Sequence, residues 1–298
     1  MTRDLKSSDQ EWVAHNYCVA FIDLLGQRDA LRDQGLLTPI ESEEQRQEFH
    51  AVLRSSIGAI IKLQKRAEDM LAPTLRSNPD SPFRAALPPE QHATWDEMQR
   101  TRITTQRWSD GLVSFASMGD TEIKCRMNGV FGIFGLAGAL CLLGLATGRP
   151  VRGAIEVAWG VEIHSGELYG PAVARAYELE SEVAQYPRIV VGPETIRLLE
   201  AHAATPAQDP YSQNDRELAV LCRGMLVQDA DGHWLLHYLG DKFRFAVTHE
   251  QHIELYGAAR KFVLDQLFEH QSKRNTKLAF RYSHLLQYFD AHQPAKPE

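Results

Sequence analysis

Two aspartates in this chain stand where carboxylates do chemistry. Asp23 closes the apolar run Tyr17-Cys-Val-Ala-Phe-Ile-Asp-Leu-Leu-Gly26, and Asp110 sits in Trp108-Ser-Asp-Gly111. A carboxylate at the mouth of a strand, beside the free amides of a following helix start, is a natural holder of a metal ion and a phosphate. Two such acids brought together can hold two divalent ions, and such a pair suits in-line displacement at phosphorus. Each acid also has a plainer reading. Asp often caps the helix that follows a strand, and Asp-Gly is a common turn pair.

The elements that must position them follow from patterning. The run around Asp23 reads as a buried strand, with Val19, Phe21 and Asp23 on one face because side chains alternate. A helix from Leu25 to Gln34 is expected after it. Arg102 to Trp108 and Leu112 to Ser117 read as strands joined through Ser-Asp-Gly, a hairpin with Asp110 in its turn. Between strand and hairpin, Ser42 to Leu71 carries one long helical pattern. Pro73 and the Pro- and Ser-rich stretch from Ser77 to Pro89 end it, and Glu90 to Arg100 suggests a short helix.

Downstream, Val151 to Ile163 is extended, in one or two strands, and His164 to Gly170 is a turn with a short strand. Pro171 to Gln185 is helical, with its proline in the first turn. Pro187 to Gly192 is a buried strand and Pro193 to Ala203 a short helix. Ala204 to Arg216 reads as a polar loop. Met225 to Asp229 and His233 to Leu239 form a second hairpin about Asp231-Gly232. Gln251 to Glu269 and Asn275 to Ala291 are amphipathic helices.

Composition narrows the class. The chain has 298 residues, enough for one large or two modest domains. A formal charge of -7 argues against a general nucleic-acid binder. Cys18, Cys125, Cys141 and Cys222 are scattered without paired spacing, which predicts reduced core thiols of a cytoplasmic protein. Met1 to Gln10 is polar and lacks the apolar core of a secretion signal. Gly129 to Gly148 is twenty residues without a charge, long enough to span a bilayer. Its six glycines and its place between strands favour a helix buried between a sheet and a dimer partner instead. Phosphate-loop, dinucleotide-binding, HExxH and G-x-S-x-G signatures are missing, and the twelve histidines are spread out.

The order strand-Asp-x-x-Gly-helix, hairpin with Asp, then a Gly-x-x-Val helix resembles the class III nucleotidyl cyclase catalytic domain. Phe-Ile-Asp23-Leu-Leu-Gly, Trp-Ser-Asp110-Gly and Arg152-Gly-Ala-Ile belong to the likeness. So do Leu168-Tyr-Gly-Pro-Ala-Val-Ala-Arg-Ala-Tyr-Glu-Leu-Glu180 and Tyr186-Pro-Arg-Ile-Val-Val191. Together they resemble the pyrimidine cyclases of the bacterial antiphage system called Pycsar, over about Tyr17 to Gly192. The fold this implies is α/β (α+β): a ferredoxin-like central sheet flanked by helices. Residues 11–203 would form the catalytic domain, with a helical insertion at about 42–100. Residues 204–298 would be a C-terminal extension of hairpin and helices packed on it.

The resemblance implies roles. Asp23 and Asp110 match the two metal-binding acids, and the backbone carbonyl of Leu24 a third contact, for two Mn²⁺ or Mg²⁺ ions. Amides from Leu25 to Gln27, around Gly26, would face the triphosphate. Gln106 and Glu167 match the base-reading positions, where a solvated strand residue is the plainer reading. Phe21 would help narrow the pocket to a pyrimidine, though a core role suits it too. The positions of the family's ribose-orienting Asn and transition-state Arg are Ala174 and Glu178 here, which puts that cation in doubt; Arg175 is the nearest candidate. The implied activity is conversion of UTP, or CTP, to its 3′,5′-cyclic monophosphate and pyrophosphate. The active sites would lie between the chains of a cytoplasmic homodimer, with no nucleic acid or membrane involved, and the product would act on a separate effector protein in antiphage defence. A purine cyclase, and a degenerate cyclase fold that only binds nucleotide or a partner, are the rivals.

Overall fold

The computed structural model describes residues 12–26, 39–55, 57–71, 79–108 and 111–294. It is a mixed α/β architecture around one central mixed sheet. The middle of that sheet is β1 (His15–Leu24), an apolar strand covered on both faces and therefore continuously hydrophobic rather than alternating. Among the described residues, the helical segments α1 (Glu43–Ser55), α2 (Ile57–Leu71) and α3 (His92–Met98), with a single turn at Pro82–Ala85, lie between β1 and the hairpin of β2 (Thr104–Trp108) and β3 (Gly111–Ser117). The helical pattern expected over 42–71 is present on both sides of Ser56, which lies outside the described residues.

After the hairpin comes α4 (Met127–Ala146), then the long strand β4 (Val151–His164), which folds back on the short β5 (Glu167–Tyr169). Helix α5 (Pro171–Glu178) runs on into a π-helical turn, Leu179–Val183. β6 (Ile189–Val191), α6 (Pro193–Ala204), α7 (Pro210–Gly224), the hairpin β7 (Leu226–Gln228) with β8 (Trp234–Leu236), and helices α8 (His252–Ser272) and α9 (Thr276–Ala291) complete the order. The strands lie in the order β2-β3-β1-β4-β6-β8-β7, with β5 joined to β4. All neighbours are antiparallel except β4 with β6.

Helix α7 overturns the polar loop expected up to Arg216. Asp209 caps it: its carboxylate accepts from the Ser212 amide at 2.8 Å, and the Ser212 hydroxyl accepts from the Asp209 amide at 3.0 Å. Pro210 holds the first helical position, where its missing N–H is no loss. Polarity is the outer face of this helix, while Ala219 and Cys222 are its buried one.

Alternation along β1 divides the core. Cys18, Ala20, Ile22 and Leu24 join the large cluster around α4, whereas Tyr17, Val19 and Phe21 join a smaller one with Val113, Phe115 and Ala172, Val173 and Ala176 of α5. Among the described residues α4 is the one helix long and apolar enough to cross a membrane, yet fourteen of its residues are buried. Within the chain its cover is the sheet, α2, α7 and α8. The glycines serve close approach. A Cβ on Gly132 would lie 2.4 Å from Ile103, and one on Gly138 2.4 Å from Phe243. All four cysteines are buried and unpaired, and burial pushes the Cys141 thiol up to about 12.

Beyond β6 the sheet is tied by charge. Arg188, 4% exposed, meets Asp229 at 2.5 Å and Asp231 at 2.6 Å and donates to the Val183 carbonyl at 2.7 Å. His284 of α9 reaches the same Asp229 at 3.0 Å.

Candidate functional site

The site is built where β1 ends. In the antiparallel ladder Asp23 stands opposite Gly111 on one side and Arg152 on the other. Paired residues share a face, so Asp23 and Arg152 both point toward α5 and its π-helical turn. There the Arg152 guanidinium lies 3.4 Å from the Asp23 carboxylate and 2.5 Å from that of Glu180. The second contact is an ion pair without hydrogen-bond alignment. Asp23 and Arg152 side chains remain 18% and 17% exposed, against 2% for Glu180. Arg281 of α9 is close by; burial, then the positive charge of Arg152, lowers its pKa. Two carboxylates and two guanidiniums are thus gathered at one end of the sheet.

Asp110 lies outside the described residues. Gly111, which follows it, is the residue directly opposite Asp23. Gly26 has φ +88°, a left-handed conformation that favours glycine, and no described residue lies within 4 Å of where a side chain would start. The row of free amides expected from Leu25 to Gln27 is not intact: the Leu25 amide donates to the Pro150 carbonyl at 3.0 Å. Gln27 and the helix expected as far as Gln34 fall outside the described residues.

Phe21, one row further in on the face of Asp23, is 3% exposed and meets Tyr177 of α5 edge-on at 5.2 Å. Gln106 occupies the same cross-strand row, through Val113. Its side-chain oxygen accepts from the Leu168 amide at 2.9 Å, next to Glu167. Residues 61 positions apart in sequence are therefore neighbours here, and Glu167 is exposed. Arg175 stands elsewhere. It is 48% exposed, lies 3.8 Å from Glu194 and shares a groove with Asn16 and Trp159. Asn16 precedes Asp23 by seven positions on β1, a separation of roughly 23 Å along a strand. Within one chain Arg175 does not meet Asp23.

The residues that the sequence reading missed are Arg152 and Glu180. Both lie in the quoted motifs, but only the β1–β4 register sets Arg152 beside an acid 129 positions away.

A carboxylate oxygen that solvent can reach is the donor type that Mg²⁺ and Mn²⁺ prefer, and Asp23 has that chemistry. Among the described residues no group of three or more His, Cys, Asp or Glu is placed to share an ion. An ion at Asp23 would also compete with Arg152 for its charge.

Comparison of the chain with protein-family models, with curated proteins and with solved structures finds no match.

Proposed function

We propose that the chain is a class III nucleotidyl cyclase that converts a pyrimidine nucleoside triphosphate, UTP or CTP, to its 3′,5′-cyclic monophosphate and pyrophosphate. One observation carries the reading: the placement of Asp23 opposite Gly111 in a sheet of order β2-β3-β1-β4. Strand–helix–strand–strand–helix–strand in that order, with α2 and α4 in the core cluster behind it, supports the ferredoxin-like arrangement expected of such cyclases. Gln106, tied to the backbone beside Glu167, adds a second support. An amide that accepts and donates, beside a carboxylate that accepts, is suited to the edge of a base.

Asp23, the Leu24 carbonyl and Asp110 would hold the two divalent ions, which when bound polarise the phosphates and activate the attacking 3′ oxygen. Around them the protein's own groups orient and select. Phe21 closes the floor of the face, Gly26 lets the chain turn sharply after β1, and Arg152 holds the Asp23 carboxylate in place. The active unit would be a cytoplasmic homodimer, in which a partner could bring Arg175 to the other chain's phosphates. Its product would be a second messenger for a separate effector in antiphage defence.

A second reading has its own motive. Ala174 and Glu178 stand where the family has Asn and Arg, and Arg175 faces Glu194; both suit a module that binds nucleotide without turning it over. Purified protein incubated with each of the four nucleoside triphosphates and Mn²⁺, with products separated by chromatography, decides. Cyclic UMP or cyclic CMP is expected. Cyclic AMP or cyclic GMP makes it a purine cyclase, and binding without product makes it the module.

A further inference from the structure

Behind the sheet, on the face opposite Asp23, α2 leans on the C-terminal end of α4 and leaves a pocket of about 140 Å³. Its floor is apolar, formed by Leu24 and Leu140, and its walls carry Arg54, Lys62, Arg66 and Arg149. No carboxylate is among its described lining residues. In a chain with 39 acidic and 32 basic residues, four cations around one small concavity run against the average. Among the described residues Arg54, Lys62 and Arg66 have no carboxylate within ion-pair distance. Arg66 donates to the Thr147 hydroxyl at 3.2 Å, and that hydroxyl donates to the Leu143 carbonyl at 2.8 Å. The negative end of α4 thereby accounts for Arg66. Arg54 and Lys62 repel one another across the pocket unless an anion sits between them.

We infer that this pocket binds a small multivalent oxyanion of the phosphate class, held by guanidinium forks and the Lys62 ammonium. Guanidinium matches the geometry of phosphate oxygens with paired N–H donors, and a lysine adds a point charge. The volume is several times the roughly 30 Å³ share of one water molecule, so a diphosphate has room. The site is separate from the one at Asp23. Leu24 and Asp23 are consecutive on a strand and point to opposite faces, so the two sites back onto each other without sharing a side chain. The inference therefore stands apart from the proposed activity.

The test is calorimetric titration of the full chain with pyrophosphate in EDTA at low salt, a condition that removes any metal-dependent phosphate binding at Asp23. Saturable one-to-one binding is expected, weakening as salt rises. Arg54→Gln and Lys62→Gln change exposed side chains, so circular dichroism should be unaltered while affinity falls about tenfold for each cation removed. Asp23→Asn should bind as wild type does. A nucleoside diphosphate titrated in parallel separates the sources: equal affinity marks a free oxyanion, and tighter binding marks a nucleotide's phosphates. No saturable binding up to millimolar pyrophosphate, or binding unchanged in the Arg54→Gln/Lys62→Gln double variant, overturns the site. Binding lost in Asp23→Asn but kept in the double variant also overturns it, since the anion would then belong to the other face.

Discussion

Behind β1 the sheet meets α4 through Cys18, Ala20, Ile22 and Leu24, and the contact is apolar throughout. In front, the same strand presents Tyr17, Val19 and Phe21 to a shorter helix and then Asp23 to Arg152 and Glu180. Among the described residues the buried Asp, Glu, Lys and Arg are Glu156, Glu180 and Arg188. Glu156, opposite Val19, faces forward; its carboxylate accepts from the Thr195 amide at 3.0 Å and so caps α6 from a distant strand. Apolar burial is the large stabilising term in a fold, whereas buried ion pairs roughly break even against their desolvation. The back of the sheet is therefore where stability resides, and the front is where charge is held at fixed places despite its cost.

Separating activity from stability is the sharpest way to break that contrast. Asp23→Asn should lower turnover on the order of 100-fold or more while leaving the melting temperature near wild type; Asp110→Asn should do the same. Near-normal turnover in both variants would remove the proposed metal acids. The converse is Ile133→Ala on α4, a fully buried side chain. It should cost about 2–5 kcal/mol in urea unfolding and leave nucleotide preference unchanged in the protein that remains folded. A shifted preference would mean that the two faces are not independent.

Glu180→Gln tests whether the front's charges are mutually dependent. It leaves Arg152 short of a buried partner and should cost about 3 kcal/mol. Adding Arg152→Met should recover part of the loss. If the double variant is less stable than the single one, Asp23 depends on Arg152 more than Arg152 depends on Glu180.

The back has a titratable contact of its own. His237 bonds to Tyr288 at 2.8 Å, and burial, then the nearby His292, lowers its pKa from 6.5 to about 4. Unfolded, the ring gains its proton as pH falls through 6.5; folded, it waits until about 4. The unfolded chain binds more protons in that window, so this contribution is complete above the upper value and lost towards the lower, about 3 kcal/mol in all. Urea midpoints compared across the window, for wild type and His237→Gln, measure it. An equal slope in both assigns the acid sensitivity to other groups.

Smallest in stability, Gln106→Ala and Glu167→Ala should each cost under about 1 kcal/mol and yet change the ratio of rates on UTP and CTP to those on ATP and GTP. An unchanged ratio in both returns these residues to plain sheet surface.

Local signals made much of this legible. An apolar run with a terminal acid marks β1, and Ser-Asp-Gly between β-branched runs marks the β2–β3 hairpin. Asp231-Gly232 likewise marks the β7–β8 pair, which the structure joins as expected. Helix α7 was hidden because its outer face is polar, although Asp-Pro-x-Ser is a helix start in itself. What could not be read was side-chain convergence across the ladder. Arg152 reaches Asp23 only through the register of β1 on β4, and Glu180 reaches Arg152 only because a π-helical turn ends α5. The C-terminal ties of Arg188 to Asp229 and His284 are likewise partnerships of tertiary structure, with no trace in periodicity.

The pairing of β1 also sets a timetable. Both of its neighbours, β3 and β4, come after it in the chain, with helices α1 to α3 and the hairpin's first strand before β3, and α4 before β4. On a ribosome adding about 5–20 residues per second, β1 would wait on the order of ten seconds for β4 to appear. Both of its edges are open until β3 emerges and one stays open until β4 does, and an apolar strand in that state would be a template for the wrong partner. Nascent chains halted before Val151 should accordingly bind chaperones and resist refolding, and release should coincide with the synthesis of His164. A protein whose central strand is made early and completed late depends on the cell's folding machinery in a way that its finished stability does not reveal.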